Sequence, residues 1–174
     1  MKYVLRVAAA LALCAMSATT AASAPAEHDV LDAEHAFATV DLVAGKGWMT
    51  VPDPGNRWGT RGGISGQFHV DITNSAGHDE RGLSVFVSLP TYYLDVTGYE
   101  GEDWNCQDVN DGAGAEGLRC TQNHLIVHEE AWPRLTVFTR ARSEYYKDTI
   151  DVYADAGGHR TVHAGTAFLI DTST

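Results

Sequence analysis

The sequence predicts an all-β fold, an antiparallel two-sheet sandwich of seven or eight strands, and three observations carry that expectation. Apolar residues recur with period two along most of the chain after its first residues. Turn-forming clusters separate these alternating runs, and no convincing long helical pattern interrupts them. Several half-buried strands can hide their apolar faces only against another sheet or inside a closed barrel.

Taken in order, the first alternating candidate covers Phe37 to Val43, although EHDVLDAEHAFATV can also be read as a short helix. The following segment, Ala44 to Gly63, is rich in Gly and Pro and reads as a long loop, with room for a short strand at Met49 to Val51. Phe68, Val70 and Ile72 then alternate with Gln67, His69 and Asp71. Leu83, Val85, Val87 and Leu89 form the next apolar face. Leu135, Val137 and Thr139 share another, as do Ile150, Val152 and Ala154, and finally Val162, Ala164, Thr166, Phe168 and Ile170. The intervening turn signals are Asn74-Ser75-Ala76-Gly77, Leu89-Pro90, Asp111-Gly112 and Asp155-Ala156-Gly157-Gly158.

The N-terminus reads as a secretory signal peptide over residues 1–24. Lys2 and Arg6 precede an apolar run from Val7 to about Met16, and small residues follow. The run falls short of the roughly 20 apolar residues that span a bilayer, and no longer run follows, so no membrane span is expected. Cleavage is expected within Ser23–Ala26, where Ala22-Ser23-Ala24 and Ala24-Pro25-Ala26 both have the small-x-small form. Leu13 before Cys14 argues against a lipidated cysteine.

About 150 residues remain, enough for one domain with a real core. Residues 25–63 would supply an N-terminal strand and the Gly/Pro-rich loop, and residues 64–174 the rest of the same sandwich. Loss of Lys2 and Arg6 takes the formal charge from −11 to −13, because the leader carries no acids. So acidic a chain is repelled by nucleic acid and by anionic lipid, which leaves proteins and envelope glycans as the expected partners. The expected location is secreted or cell-envelope associated.

Cys14 leaves with the leader, so the mature chain holds Cys106 and Cys120. Two cysteines in an exported protein usually pair. Free thiols and a metal site are the alternatives, but C-x13-C lacks the further ligands of a zinc site and the CxxC spacing of a redox motif.

The order of the pieces resembles a bacterial conserved-repeat domain of unknown function, an immunoglobulin-like module of surface and secreted proteins. FHVDITNSAG is similar to its opening strand ending in Thr-Asn, LSVFVSLPTYYLDV to its strand ending in Leu-Pro, and WNC to its Trp-x-Cys. LRCTQ, PRLTVFTRA and TIDVYADAG follow in the same order, so the resemblance covers about Ile64 to Ile170. It implies an immunoglobulin-like antiparallel β-sandwich, a disulfide between Cys106 and Cys120, and stalk, spacer or adhesion roles outside the cell. No active site is implied. This chain has one copy and no sorting motif, which favours a small released module.

Candidate sites follow from residue chemistry. His124 and His128, and His159 and His163, are spaced i, i+4, but on a strand such pairs lie about 13 Å apart, too far to share one ion. The eight histidines are therefore expected at the surface, and Trp132 breaks the HExxH pattern begun by His128 and Glu129. Asp103, Asp108, Asn110 and Asp111 suggest calcium, but their spacing does not fit an EF-hand, and a solvated polar turn is expected. No Gly-x-Ser-x-Gly motif is present, and Asp151 and Asp155 are read as displayed along a strand. No catalytic residue, metal ligand or cofactor is expected. Trp104 is expected to cover the disulfide, and Trp132 to pack where the chain enters its strand. Trp48 and Trp58, in the early loop, are candidate ligand-binding platforms for a sugar or a protein, unless they plug one end of the sandwich. The function expected is that of a non-catalytic binding or envelope-associated module; the rival readings are a carbohydrate-binding module using Trp48 and Trp58, and a hydrolase of unfamiliar type.

Overall fold

A computed structural model describes residues 36–51, 57–110, 115–157 and 159–172. The leader and the lipidation position Cys14 lie outside the described residues, as does the Asp111-Gly112 turn. The chain is an immunoglobulin-like β-sandwich, with no helix among the described residues.

The strands are β1 (Ala38–Ala44), β2 (Met49–Val51), β3 (Arg57–Arg61), β4 (Ser65–Asn74), β5 (Leu83–Ser88) and β6 (Leu94–Glu100). They continue as β7 (Asn105–Asn110), β8 (Glu116–Gln122), β9 (Leu135–Ala141), β10 (Tyr146–Ala156) and β11 (Val162–Asp171). A four-stranded sheet has the order β1-β4-β9-β6, and a seven-stranded sheet the order β2-β3-β11-β10-β5-β8-β7. All described pairings are antiparallel except β3 with β11.

Among the described residues, eleven strands replace the seven or eight expected. The five strongest alternating runs became β4, β5, β9, β10 and β11, because one buried side chain in every two is a direct imprint of a sheet face on a core. Two of the additions lack that imprint. β7 buries only Cys106 of its six residues, and β6 carries a bulge between Val96 and Gly98 that breaks its register. The described residues of the segment Ala44 to Gly63 also hold more strand than the loop expected there. Met49 to Val51 is a strand, and it pairs with β3 at the edge of the large sheet.

The core lies between the sheets. Phe68, Val70 and Ile72 of β4 and Leu135 and Val137 of β9 face it from the small sheet. Val85, Val87, Leu118, Ile150, Val152, Phe168 and Ile170 face it from the large one. Gly117 marks a place where only glycine fits: its φ is +143°, and a Cβ there would run into the Val87 carbonyl across the β5–β8 ladder.

Connections at the two ends differ in chemistry. At one end lie the segments after β4, before β7, after β8 and after β10. Asn74, fully buried, organises them: its Nδ2 donates to the carbonyls of His78 (2.8 Å) and Ile126 (3.2 Å), and its Oδ1 accepts from the Ala76 N–H (2.9 Å). The Thr-Asn ending of the opening strand motif thus has a structural reason, since one buried amide side chain has its own polar atoms met by three backbone groups of the two segments it joins. At the other end, the Pro90 carbonyl accepts from the N–H groups of Tyr93 and Leu94, both at 3.0 Å, and turns the chain into β6.

Candidate functional site

Trp48 and Trp58 are buried, each only 6 % exposed. β3 lies parallel to β11 with Trp58 opposite Phe168, and both indoles belong to the core cluster. Trp48 stands edge-on to Phe168 (centroids 5.8 Å, 89°) and 5.9 Å from Trp58, which in turn lies 5.7 Å from Phe68. The Trp48 Nε1–H points to the Thr139 hydroxyl at 3.4 Å, and the close approach of its ring leaves space only for glycine at Gly66. The indole faces are spent on one another and on the core, so neither is a flat platform for a sugar. This corrects the expectation of exposed platforms: β2 and β3 of the Gly/Pro-rich segment pair within the large sheet, and pairing buries what a loop would have displayed.

Cys106 and Cys120 face each other across β7 and β8 and form a disulfide. The Cys120 side is fully buried. Trp104, two residues before Cys106, is buried in the same sheet region, where its indole N–H donates to the Pro133 carbonyl at 2.6 Å. Its ring also packs against Gly101. Trp132, just before β9, is buried as expected where the chain enters that strand, and its backbone N–H donates to the Ile72 carbonyl at 2.9 Å.

The acidic set does not converge. Asp103 sits in the left-handed turn before β7 (φ +58°), while Asp108 and Asn110 belong to the far half of β7 itself. Asp111 lies outside the described residues. The histidine pairs do not converge either: His163 Nε2 meets Asp151 at 2.8 Å, and His124 Nδ1 lies 3.8 Å from Asp103. The Nδ1 of His128 accepts from the Gly77 N–H at 3.2 Å. His159 instead turns toward Glu80, with Nε2 2.7 Å from Oε1, and His78 Nε2 approaches that same oxygen at 2.7 Å. Sequence reasoning missed this trio. Its available signal was the local His78-x-Glu80 spacing in a turn, but His159 is 79 residues further on from Glu80, and only the fold joins them.

Two surfaces stand out. Beside the Asn74-organised end, Arg81, Asp103, Asn105, His124 and Leu125 line an open, mainly polar hollow of about 530 Å³. At the opposite end, Tyr93 and Tyr146 stack at 3.6 Å and 12°, and they form the floor of an aromatic platform. Tyr92 (59 % exposed) stands edge-on to Tyr93 at 4.8 Å with the Arg142 guanidinium over its ring at 4.9 Å, and Tyr145, next to Tyr146 in the chain, is 63 % exposed. Arg142 is held by Asp95 at 3.1 Å, and its backbone N–H by the Tyr93 carbonyl at 3.0 Å. The platform is therefore positioned before any partner arrives, and both Tyr and Arg are side chains that dominate binding hot spots.

Tyr146 anchors this floor and is electrostatically marked. Its hydroxyl donates to Asp148 at 2.6 Å, and this bond, with burial and the negative charge of Asp148 behind it, pushes its pKa up to about 12. A phenol with a raised pKa holds its proton more tightly folded than unfolded, so the stability it contributes is present below about pH 10 and is lost between about pH 10 and 12. Absorbance at 295 nm is expected to show one tyrosine titrating near pH 12, returning toward the ordinary value of about 10 in Asp148→Ala. A single transition at the ordinary value in the native protein would show the bond to be absent in solution.

No family model and no curated protein matches the chain. Among solved structures, a cohesin module of a family 33 glycoside hydrolase from Clostridium perfringens is similar with a TM-score of 0.55 at 7 % identity, covering 78 % of this chain and 98 % of that one. A protein from Nocardia farcinica with an immunoglobulin-like fold is similar with a TM-score of 0.42 at 13 % identity, over 75 % of this chain and 83 % of that one. The cohesin of a type I cohesin–dockerin complex from Clostridium thermocellum gives 0.48 at 7 % identity, over 76 % and 93 %. At such identities the likeness to the first is one of fold.

Proposed function

We infer that the protein is a non-catalytic, extracellular or envelope-associated binding module that engages a protein partner through the platform of Tyr92, Arg142 and Tyr145. The observation that carries this reading is the exposed Tyr92 and a preoriented guanidinium set on a stacked, half-buried tyrosine floor, with the exposed Tyr145 next to that floor in the chain. Aromatic rings with few rotatable bonds lose little entropy on contact, and a fixed arginine adds directional hydrogen bonds. The sandwich it shares with a cohesin module supports a binding rather than a catalytic role. The disulfide supports an oxidising location. Burial of Trp48 and Trp58 removes the feature that favoured a glycan ligand.

A photo-reactive residue placed at position 92 or 145 tests the reading on isolated cell envelope and on proteins of the culture medium. The expected result is one adduct of defined mass from both positions, lost when Arg142→Ala is added and absent when the probe replaces Tyr153, on the outer face of β10. Equal labelling from position 153 would sink the assignment of this surface. Retention on insoluble polysaccharide without any protein adduct would replace it with glycan binding.

A further inference from the structure

We propose that His78, Glu80 and His159 form a binding site for a zinc-class divalent cation. The two imidazole Nε2 atoms both lie 2.7 Å from a single carboxylate oxygen, Glu80 Oε1, and one ligand atom from each residue falls within 4.8 Å of the others. An ion with bonds of about 2.1 Å requires its ligand atoms about 3.4 Å apart, so the side chains need move only on the order of an ångström to receive it. Two neutral nitrogens and one carboxylate oxygen are the donors that zinc and its d-block neighbours prefer; calcium and magnesium favour all-oxygen sets.

The surroundings are those of a built site rather than a chance meeting of surface side chains. The Glu80 side chain is only 9 % exposed, and a carboxylate so placed is costly unless its charge is met. Its backbone is pinned by reciprocal hydrogen bonds with Ile126, both 2.9 Å, in an isolated β-bridge. Asn74 holds the His78 carbonyl, and the His159 ring stacks on Phe37 at 5.2 Å. Two turns that are distant in sequence thus supply the three ligands, the segment carrying Ile126 braces one of them, and each ligand is fixed through its own backbone or ring. His78 remains 62 % exposed, which leaves the outer side of the cluster open for water as a further ligand. Such an ion would tie the turn leaving β4 in the small sheet to the turn leaving β10 in the large one.

The test uses the purified chain after chelator treatment, titrated with Zn²⁺ by calorimetry, with Co²⁺ as an optical reporter. Expected are one bound ion per chain, a Zn²⁺-dependent rise in Tm, and visible Co²⁺ absorption of a low-coordinate nitrogen–oxygen site. Losing an outer-sphere partner alone typically weakens metal binding ~10–100-fold, so His159→Gln and Glu80→Gln are each expected to weaken Zn²⁺ by at least that much. His78→Gln is the decisive variant, because this exposed side chain can be replaced without disturbing the core, and it must weaken binding as well. His163→Gln, whose imidazole meets Asp151 on the outer face of the large sheet, is expected to bind as the native chain does. No Zn²⁺ binding by the native chain, or undiminished binding by folded His78→Gln or His159→Gln, would overturn the proposal.

Discussion

Trp58→Ala is expected to cost ~3–5 kcal/mol, the range for removing a large aromatic from a packed core. The side chain is almost fully buried, and it bridges Trp48 of the N-terminal segment to Phe68 of the small sheet. Truncation would leave the rings of Trp48 and Phe68 around an unfilled volume, and β3 is held on both sides by its ladders to β2 and β11, so it cannot move inward freely to close the gap. Against a total stability of about 5–15 kcal/mol for a typical domain, this is a large fraction. The shift in denaturant midpoint measures it, followed by near-ultraviolet circular dichroism to catch loss of ring packing. A cost below about 1 kcal/mol, within the range of surface substitutions and their neighbours, would show that the β2–β3 hairpin is not docked and would restore the indoles as surface groups.

Opening the disulfide is expected to lower stability by ~3 kcal/mol, as loop-closure entropy suggests for a loop of this length. For a domain of this size that corresponds to a fall in Tm of roughly 6–12 °C. The location sharpens the prediction. β7 is the terminal strand of the large sheet, pairs only with β8, and has mostly polar side chains. Its attachment therefore depends on the backbone ladder and on the Cys106–Cys120 bond more than on burial. In the Cys106→Ala, Cys120→Ala double variant, amide protection is expected to fall first across Asn105–Asn110, while the central strand β10 keeps its protection. Uniform loss across the whole sandwich would mean that the bond holds the global fold instead of one edge.

The two predictions probe features of different legibility. The cysteine pair was readable because two cysteines left in an exported chain have few chemical alternatives, and the ordered motifs around them implied the same bond. The indole pair was misleading. Composition alone cannot distinguish a Gly/Pro-rich loop from two short paired strands whose glycine admits close packing, as Gly59 of β3 does for Val51 of β2. The acidic run misled in the same way, since half of it lies in β7, a strand whose polar sequence carries no period-two signal.

What the sequence by itself determined is the all-β class and the inward faces of β4, β5, β9, β10 and β11, because alternation is a local record of which side of a strand meets the core. Only the tertiary structure decided which strands are neighbours. The parallel docking of β3 on β11 buries Trp58, the β8 partner makes a strand of β7, and the turns of two different sheets bring His159 to Glu80 across 79 residues. The tyrosine platform has the same origin, since Tyr93 and Tyr146 meet only because β6 and β10 bring their ends to one side of the sandwich. Burial periodicity is written along the chain within a few residues, whereas the meeting of distant side chains depends on strand order, which no local pattern encodes.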